Sequence, residues 1–533
     1  MMRSQWLADT SDGVITESVP QVLARQVAAH GARPAVYWEQ DSELAHLTYA
    51  DLAAAATAVA RALAGQAAPG ERVAVWSRNS LAWVLLEYGC ALAGLILTPL
   101  NPAWTDPEVE HAIQLTGPAL FFAGTGPQGE SLLPRASAHA DRTTVLDLAG
   151  LPSWSAAVPA GELAEVPAAT PLLIQFTSGT TGRAKGALIS HQGALNTGRL
   201  RNLYDVMSHP DVYLNPVPYH HIGGSCCIIL GALVDAGAFV LAERWDPGLV
   251  VRLLRRGPVN RIGGVPTMMF DLLGRLGEDA SAVTVKSVSL GGAKVPQLLV
   301  ERVQDAFGAP VVVTYAQSES SIITSSRVGD DPAVIARTVG RPVAGVELRI
   351  CDPASGAVVP LGAPGEIQVR SPYLMLGYWG MPAQTTAAMT PDGFLRTGDV
   401  GEMDDAGNVT FRDRVRDVII RGGENIYPAE VEEALLAHPG VAAAVVVGLD
   451  DERLGERVAG VVVRVPGSEA TGEELGGYLH GRLARFKIPQ TWRFVDQLPM
   501  TASGKVRRFV VRDQARADQA RADQAPGPAP AAG

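Results

Sequence analysis

Apolar and polar positions change period several times along the chain, and each change predicts an element. Residues 49–64 are Ala-rich with Leu52 and Leu63 inside a helical stretch, residues 72–76 read as a short buried strand after the Pro69-Gly70 turn, and the segment carrying Trp83, Leu86 and Ala91 reads as a second helix. The alternation recurs farther on, strand-like at 239–242, helical at 247–256, strand-like at 261–264 and helical at 268–276. Strands alternating with helices at this spacing predict the α/β class, with layered α/β units and largely parallel sheets. After Asp392 the texture turns to short strands and turns. A helix is expected from Pro428, with Glu430, Glu432 and Glu433 in its first turns where the helix dipole favours acids. The Val-rich runs 441–448 and 458–465 read as strands, and 473–486 is amphipathic. The chain therefore divides into a large N-terminal domain over 1–414 and a small, mobile α+β domain over 415–512. Residues 513–533 repeat Gln-Ala-Arg-Ala-Asp before a Pro/Ala-rich end and are expected to form a disordered tail.

Composition agrees with a large soluble enzyme. A chain of 533 residues, 47% hydrophobic and 19% charged, can bury an extensive core and still supply a second domain. A net charge of −11 argues against a nucleic-acid partner, because phosphate backbones call for clustered Lys and Arg. Cys90, Cys226, Cys227 and Cys351 have no C-x-x-C spacing and read as reduced core residues. The first residues carry neither a basic nor an apolar targeting region, and the apolar runs fall far short of the roughly 18 residues a membrane span needs. A cytoplasmic location without a membrane span is expected.

Candidate chemistry concentrates at 177–186, Thr-Ser-Gly-Thr-Thr-Gly-Arg-Ala-Lys-Gly, directly after the apolar run 172–176. Glycines let backbone N–H groups approach an anion closely, hydroxyls donate to phosphate oxygens, and Lys185 adds a mobile positive charge. A nucleotide polyphosphate fits this loop; a polar hairpin turn is the competing reading. It is not a Walker loop, since Gly186-Ala187-Leu188 cannot supply the Lys-Ser/Thr pair. Three further segments follow: Val-Thr-Tyr-Ala-Gln-Ser-Glu-Ser-Ser at 313–321, Asp-Gly-Phe-Leu-Arg-Thr-Gly-Asp-Val at 392–400 and Thr-Ala-Ser-Gly-Lys-Val-Arg-Arg at 501–508. In this order and spacing they resemble the adenylate-forming superfamily, over nearly the whole chain. The runs GEIQVRSPYLMLGY (365–378) and FRDRVRDVIIRGGENIYPAEVE (411–432) are most similar to its acyl- and aryl-CoA synthetase branch.

The resemblance implies an ATP-dependent carboxylic acid:CoA ligase that forms an acyl-adenylate, with ATP, Mg2+ and CoA as its small-molecule requirements. It implies that Thr177, Ser178, Gly179, Thr180, Thr181 and Gly182, with Lys185, hold the β- and γ-phosphates. Glu319 and Thr180 would serve the metal. Tyr315 would stack on adenine, Ser318 would reach the α-phosphate, and Asp399 and Arg414 would take the ribose hydroxyls. Gly292 and Ala293 would border adenine and the acyl pocket. Lys505 would bring its charge to the carboxylate and α-phosphate in the first step. Rotation of the small domain about Arg416, where Asp or Lys is more usual, would then present Gly423 to the thiol substrate.

For the acyl pocket the matching segment is Pro218-Tyr219-His220-His221-Ile222-Gly223-Gly224. His221 aligns with the residue that lines and gates the pocket, His220 replaces the usual aromatic, and Gly223, Gly292 and Ala316 complete the wall. The two histidines are read as neighbours on a strand, pointing to opposite faces and so forming no metal cluster. Ala184, Ala316 and Ser318 also depart from the usual Pro, Gly and Thr. Three other readings stay open: transfer to a carrier-protein phosphopantetheine, activation of nitrite for diazotisation of an aryl amine, and a non-catalytic nucleotide-binding regulator.

Overall fold

The structure is a computed structural model that describes residues 3–524 apart from 11–12, 42, 178–183, 206–210, 278–282, 422–423, 452 and 501–505. Two large sheets with parallel interiors form its bulk. In the seven-stranded sheet the order is Gly377–Tyr378, Lys185–Ser190, Pro171–Thr177, Ile96–Leu100, Arg72–Trp76, Leu120–Ala123 and Thr144–Asp147. The nine-stranded sheet runs Arg341–Pro342, Ser321–Ser325, Val311–Gln317, Ser287–Gly291, Arg261–Gly264, Val212–Asn215, Ala238–Leu241, Pro34–Gln40 and Glu43–Thr48. A third, antiparallel sheet includes the hairpin of Leu395–Met403 with Val409–Arg414.

Local chemistry explains the elements. Helix Tyr49–Ala64 starts on Thr48, whose hydroxyl accepts from the Asp51 amide while the Asp51 carboxylate answers the Thr48 N–H. Helix Leu81–Ala93 starts on Ser80, which accepts from the Trp83 amide. It is buried on nearly all sides between layers, which suits its sequence of one carboxylate, Glu87, among apolar residues. Val73, Ala74, Val75 and Trp76 are fully buried because helices cover both faces of a parallel strand.

The C-terminal unit is a separate α+β body. Its central hairpin pairs Val441–Asp451 with Gly455–Arg464, and the strands alternate between two buried faces. Val446, Val458 and Val462 pack with Val431, Leu435, Leu475 and Leu479 of the helices Pro428–Leu436 and Gly472–Leu479. Val445, Val447 and Val461 face the other way, onto Val511 and Ala515. That second face corrects the expected disordered tail as far as Gln524, residues 525–533 lying outside the described residues: a helix runs from Arg508 to Gln524, its Ala, Gln and Arg residues favouring helix and its Val511 and Ala515, one turn apart, covering the sheet. Arg516 and Arg493 add ion pairs to Asp450 and Asp518. The amphipathic 473–486 segment is also shorter as a helix than its pattern predicts. It stops at Leu479, beyond two glycines, and the chain turns through Gly481 at φ 80°, a left-handed conformation that favours glycine.

Candidate nucleotide and acyl site

Three sheets deliver side chains to one cleft. From the nine-stranded sheet, strand Val311–Gln317 carries Tyr315 and Gln317; from the antiparallel hairpin come Asp399 and Arg414, directly opposite each other in register. Asp399 is 4% exposed and nonetheless fully engaged. Its Oδ2 accepts from the Tyr315 hydroxyl at 2.6 Å and from Gln317 Nε2 at 2.6 Å, and its Oδ1 lies 3.5 Å from Arg414 Nε. Gln317 also donates to the Thr397 carbonyl at 3.0 Å, and the Asp399 amide donates to the Thr397 hydroxyl. Burial pushes the Asp399 carboxyl above its usual range, against the pull of Arg414, Tyr315 and Gln317; burial beside this carboxylate likewise drives the Tyr315 phenol far up. Gln317 and Thr397 are site residues that the motif reading passed over, although both stood inside its quoted segments.

A second group lies at the sheet junction. Lys185 Nζ sits 4.8 Å from the centre of the Tyr378 ring, and the Tyr378 hydroxyl donates to Glu319 Oε1 at 2.9 Å. Strand pairing fixes this: Tyr378 is opposite Ala187, the Trp379 amide donates to the Gly186 carbonyl, and the Met375 amide donates to the Glu319 carbonyl. Tyr378 is a candidate site residue that the sequence reading did not name, because only the pairing of 377–378 with 185–190 places it between Lys185 and Glu319. His111 holds the end of the phosphate segment through the Ala184 carbonyl, at 3.0 Å. Thr177 ends its strand paired with Lys185. Ser178, Gly179, Thr180, Thr181, Gly182, Gly423 and Lys505 lie outside the described residues.

Around the expected acyl pocket, Gly292 takes φ 77° just after strand Ser287–Gly291, with Ala293 exposed beside it. Ala316 is exposed at a register shift between Tyr315 and Ala316, and Ser318 begins the turn leading to Glu319. The histidines are not on a strand, which corrects the opposite-faces reading: strand Val212–Asn215 has already ended, and residues 219–222 form a turn that enters a π-helix, Gly223–Ile229. The reason is a run of backbone bonds that only a turn can make, including His221 N–H to the Pro218 carbonyl. His221 is exposed and its Nδ1 accepts from the Gly223 amide at 3.1 Å, which places the ring proton on Nε2. His220 is half-buried, its carbonyl accepting from Gln175 at 2.6 Å, and burial, reinforced by His221, holds its imidazole neutral at about 3. Among the described residues no group of three or more His, Cys, Asp or Glu side chains could hold a metal ion. The four cysteines are free, Cys227 half-buried and the others buried.

Arg416 sits in the single 3₁₀ turn Val415–Asp417 that joins the two units, 3.9 Å from Asp417. Burial and the neighbouring Arg414 lower its guanidinium from the ordinary range. Asp417 in turn reaches Arg512 at 3.4 Å, and Asp413 accepts from the Ala429 amide at 2.9 Å, so both ends of the turn are tied into the C-terminal unit. Across the cleft, Lys294 pairs with Glu433 at 2.6 Å.

A buried carboxylate held by a phenol, an amide and a guanidinium on an antiparallel hairpin, with a lysine and a second carboxylate meeting at Tyr378, supplies the side-chain types that a nucleotide calls for. The AMP-binding enzyme family matches residues 23–379, and the AMP-binding enzyme C-terminal domain matches residues 430–505. The chain belongs to this family, in the acyl- and aryl-CoA synthetase branch of the adenylate-forming superfamily. It is 34% identical over 526 residues, covering 94% of this chain and 99% of the relative, to a 3-[(3aS,4S,7aS)-7a-methyl-1,5-dioxo-octahydro-1H-inden-4-yl]propanoyl:CoA ligase of Rhodococcus jostii (strain RHA1). It is 35% identical to a feruloyl-CoA synthase of Amycolatopsis, over 87% of this chain and 93% of that one. Among solved structures, ATP-bound MatB from Rhodopseudomonas palustris superposes with a TM-score of 0.84 at 30% identity, covering 93% of this chain and 98% of the other. Among the described residues no helix is long and apolar enough to cross a membrane.

Proposed function

We propose that this chain is an AMP-forming ligase that activates a ring-bearing or medium-length apolar carboxylic acid with ATP and transfers the acyl group to CoA. The carrying observation is the Asp399 nest beside the Lys185–Tyr378–Glu319 group, one set of donors for a nucleoside and one for its phosphates. The acid's carboxylate oxygen attacks the α-phosphorus, the bond to pyrophosphate breaks, and the CoA thiol then attacks the acyl carbonyl while AMP leaves. Repulsion between anions is the main obstacle to the first step, and fixed positive charge is the remedy. Lys185 supplies such charge from a strand end, and Lys505 supplies it from the C-terminal unit. Asp399 exchanges its Arg414 contact for ribose hydroxyls, which its bidentate carboxylate suits.

Mg2+, when bound, would offset phosphate charge. A single carboxylate, Glu319, oriented by Tyr378 fits an ion that takes most of its oxygens from phosphate and water. For the acyl group, the partly exposed Val217 and neutral His220 of the turn are backed by the buried Tyr219 and Ile222, surroundings that favour an apolar substrate. The relatives named for bulky ring-bearing acyl groups agree with that choice.

Pyrophosphate release measured over fatty, aryl, polycyclic and amino acids tests this reading, with CoA, a carrier protein, or nitrite plus an aryl amine supplied in separate arms. Release that depends on an apolar acid, with thioester formed only with CoA, is the expected outcome. Release driven by nitrite, or thioester on the carrier protein alone, would replace it. Lys505→Ala is expected to abolish adenylate formation yet convert a supplied acyl-adenylate to thioester, while Gly423→Leu and Arg416→Pro do the reverse. Equal loss of both half-reactions in Lys505→Ala and Gly423→Leu would refute rotation about Arg416.

A further inference from the structure

Glu87 is 2% exposed inside helix Leu81–Ala93, and its surroundings connect it to the acyl-pocket turn. Its Oε1 accepts from the Ser225 hydroxyl at 2.6 Å. Ser225 is the third residue of the π-helix Gly223–Ile229, and its own amide donates to the His221 carbonyl at 3.2 Å, beside the Gly224 amide at 3.0 Å. Two hydrogen bonds therefore separate a core carboxyl from the pocket histidine. The same helix region grips the other end of the turn. Asn79 Oδ1 accepts from the Tyr219 amide at 2.9 Å, its Nδ2 donates to the Val217 carbonyl at 3.0 Å, and the Trp83 and Tyr219 rings meet edge to face at 6.4 Å. Short π-helical turns are rare and concentrate at functional sites.

The remaining polar atoms here are under-satisfied. Among the described residues Glu87 Oε2 and the Tyr219 hydroxyl are buried without a hydrogen-bond partner, and the Trp83 indole N–H faces the carboxyl and favours its charged form without reaching hydrogen-bond geometry. The other titratable groups facing Glu87 are Tyr88 and Cys90 on its own helix, Tyr219 in the turn and Cys226 in the π-helix. Burial holds all four protonated. Among the described residues no cation acts on Glu87. A neutral carboxyl tolerates such a pocket, whereas a carboxylate needs more donors than Ser225 provides.

We infer that Glu87 is a positioning residue for acid binding: its protonated carboxyl, through Ser225, holds the π-helix and the His221 turn in register, and its ionisation, which leaves a buried charge short of donors although Ser225 still donates to it, opens the turn to water. The inference rests on the ligase reading of the same pocket. Burial raises the Glu87 carboxyl to about 7, so the change falls near neutrality.

The test uses the adenylation half-reaction without CoA, on an acid the wild-type protein accepts, at pH 6 and pH 8.5. In the wild type the KM for the acid is expected to rise about five- to tenfold between these pH values, a modest share of the cost of a buried charge short of donors, with the KM for ATP steady. Glu87→Gln, which keeps the bond to Ser225 and cannot ionise, should hold a flat acid KM. Glu87→Leu and Ser225→Ala should raise it at both pH values, with a smaller change in kcat. Amide hydrogen exchange over residues 217–229, corrected for intrinsic pH dependence, reads the same event without turnover. Exchange should accelerate at pH 8.5 in the wild type and not in Glu87→Gln. Equal exchange in the two proteins at pH 8.5, or a wild-type acid-KM profile in Glu87→Gln, overturns the role of Glu87. An absence of pyrophosphate release with every acid instead overturns the ligase reading and leaves the exchange comparison to decide the fate of Glu87.

Discussion

Asp399 and Glu87 are both carboxyls removed from solvent, and burial raises both, but their neighbours differ. Asp399 is surrounded by a phenol, an amide and a guanidinium, donors that stay useful when a nucleotide replaces one of them. Glu87 has one hydroxyl donor and a more distant indole N–H, from Trp83, within a wall of aromatic and thiol groups. The contrast separates a carboxylate prepared to bind from a carboxyl kept protonated to hold a turn in place. Buried charge is tolerated where donors are supplied in advance and is expelled as a proton where they are not.

The sharpest way to break the contrast is through stability. Unfolded, Glu87 titrates near 4.5, and folded near 7, so its stabilising protonation is complete below about 4.5 and is lost as pH rises towards 7. Glu87→Gln should therefore be more stable than the wild type at pH 8, by on the order of 3 kcal/mol, and show little advantage at pH 4.5. Thermal melts at both pH values check this; an advantage that does not change with pH sinks it.

Asp399 should respond in nucleotide binding. Asp399→Ala is expected to cost about 1.5–3 kcal/mol of nucleotide affinity, as for a lost charged hydrogen-bond partner. Isothermal titration with ATP reads it, and unchanged affinity would remove Asp399 from the nucleotide site. Tyr378→Phe, which deletes one donor to Glu319 and keeps the ring under Lys185, should cost about 1 kcal/mol, seen as a several-fold weaker Mg2+ dependence of pyrophosphate release. An identical Mg2+ titration would show that Tyr378 does not orient Glu319. The smallest effect belongs to Lys294→Ala. Its pair with Glu433 is largely exposed on both sides, so the melting curve should move by no more than a degree or two, the mark of a pair worth about 0–1 kcal/mol.

Much of the fold was legible because burial imposes short-range patterns. The strands Arg72–Trp76 and Arg261–Gly264 and the helices Tyr49–Ala64 and Pro247–Arg256 fall where periodicity and turn residues put them. Errors arose where a partner outside the segment decided the outcome. Ala515 looks like one small residue in a polar repeat until the far face of the Val441–Asp451 sheet is present to bury it beside Val511. The 473–486 pattern continues past the point where the backbone turns at Gly481.

The site divides in the same way. The sequence alone determined that Asp399, Arg414, Tyr315, Lys185 and Glu319 stand in short motifs whose resemblance to the family makes them the candidates for phosphates, ribose and adenine, since such motifs keep the candidate side chains in short runs. Tertiary structure alone decided that Tyr378 bridges Lys185 and Glu319, that Gln317 and Thr397 complete the Asp399 nest, and that Glu87 lies beneath the pocket turn, since 138 residues separate it from Ser225. Local sequence fixes the kind of group and its period. Hydrogen-bond partners supplied from another sheet or helix fix its ionisation and aim, and no local pattern encodes them.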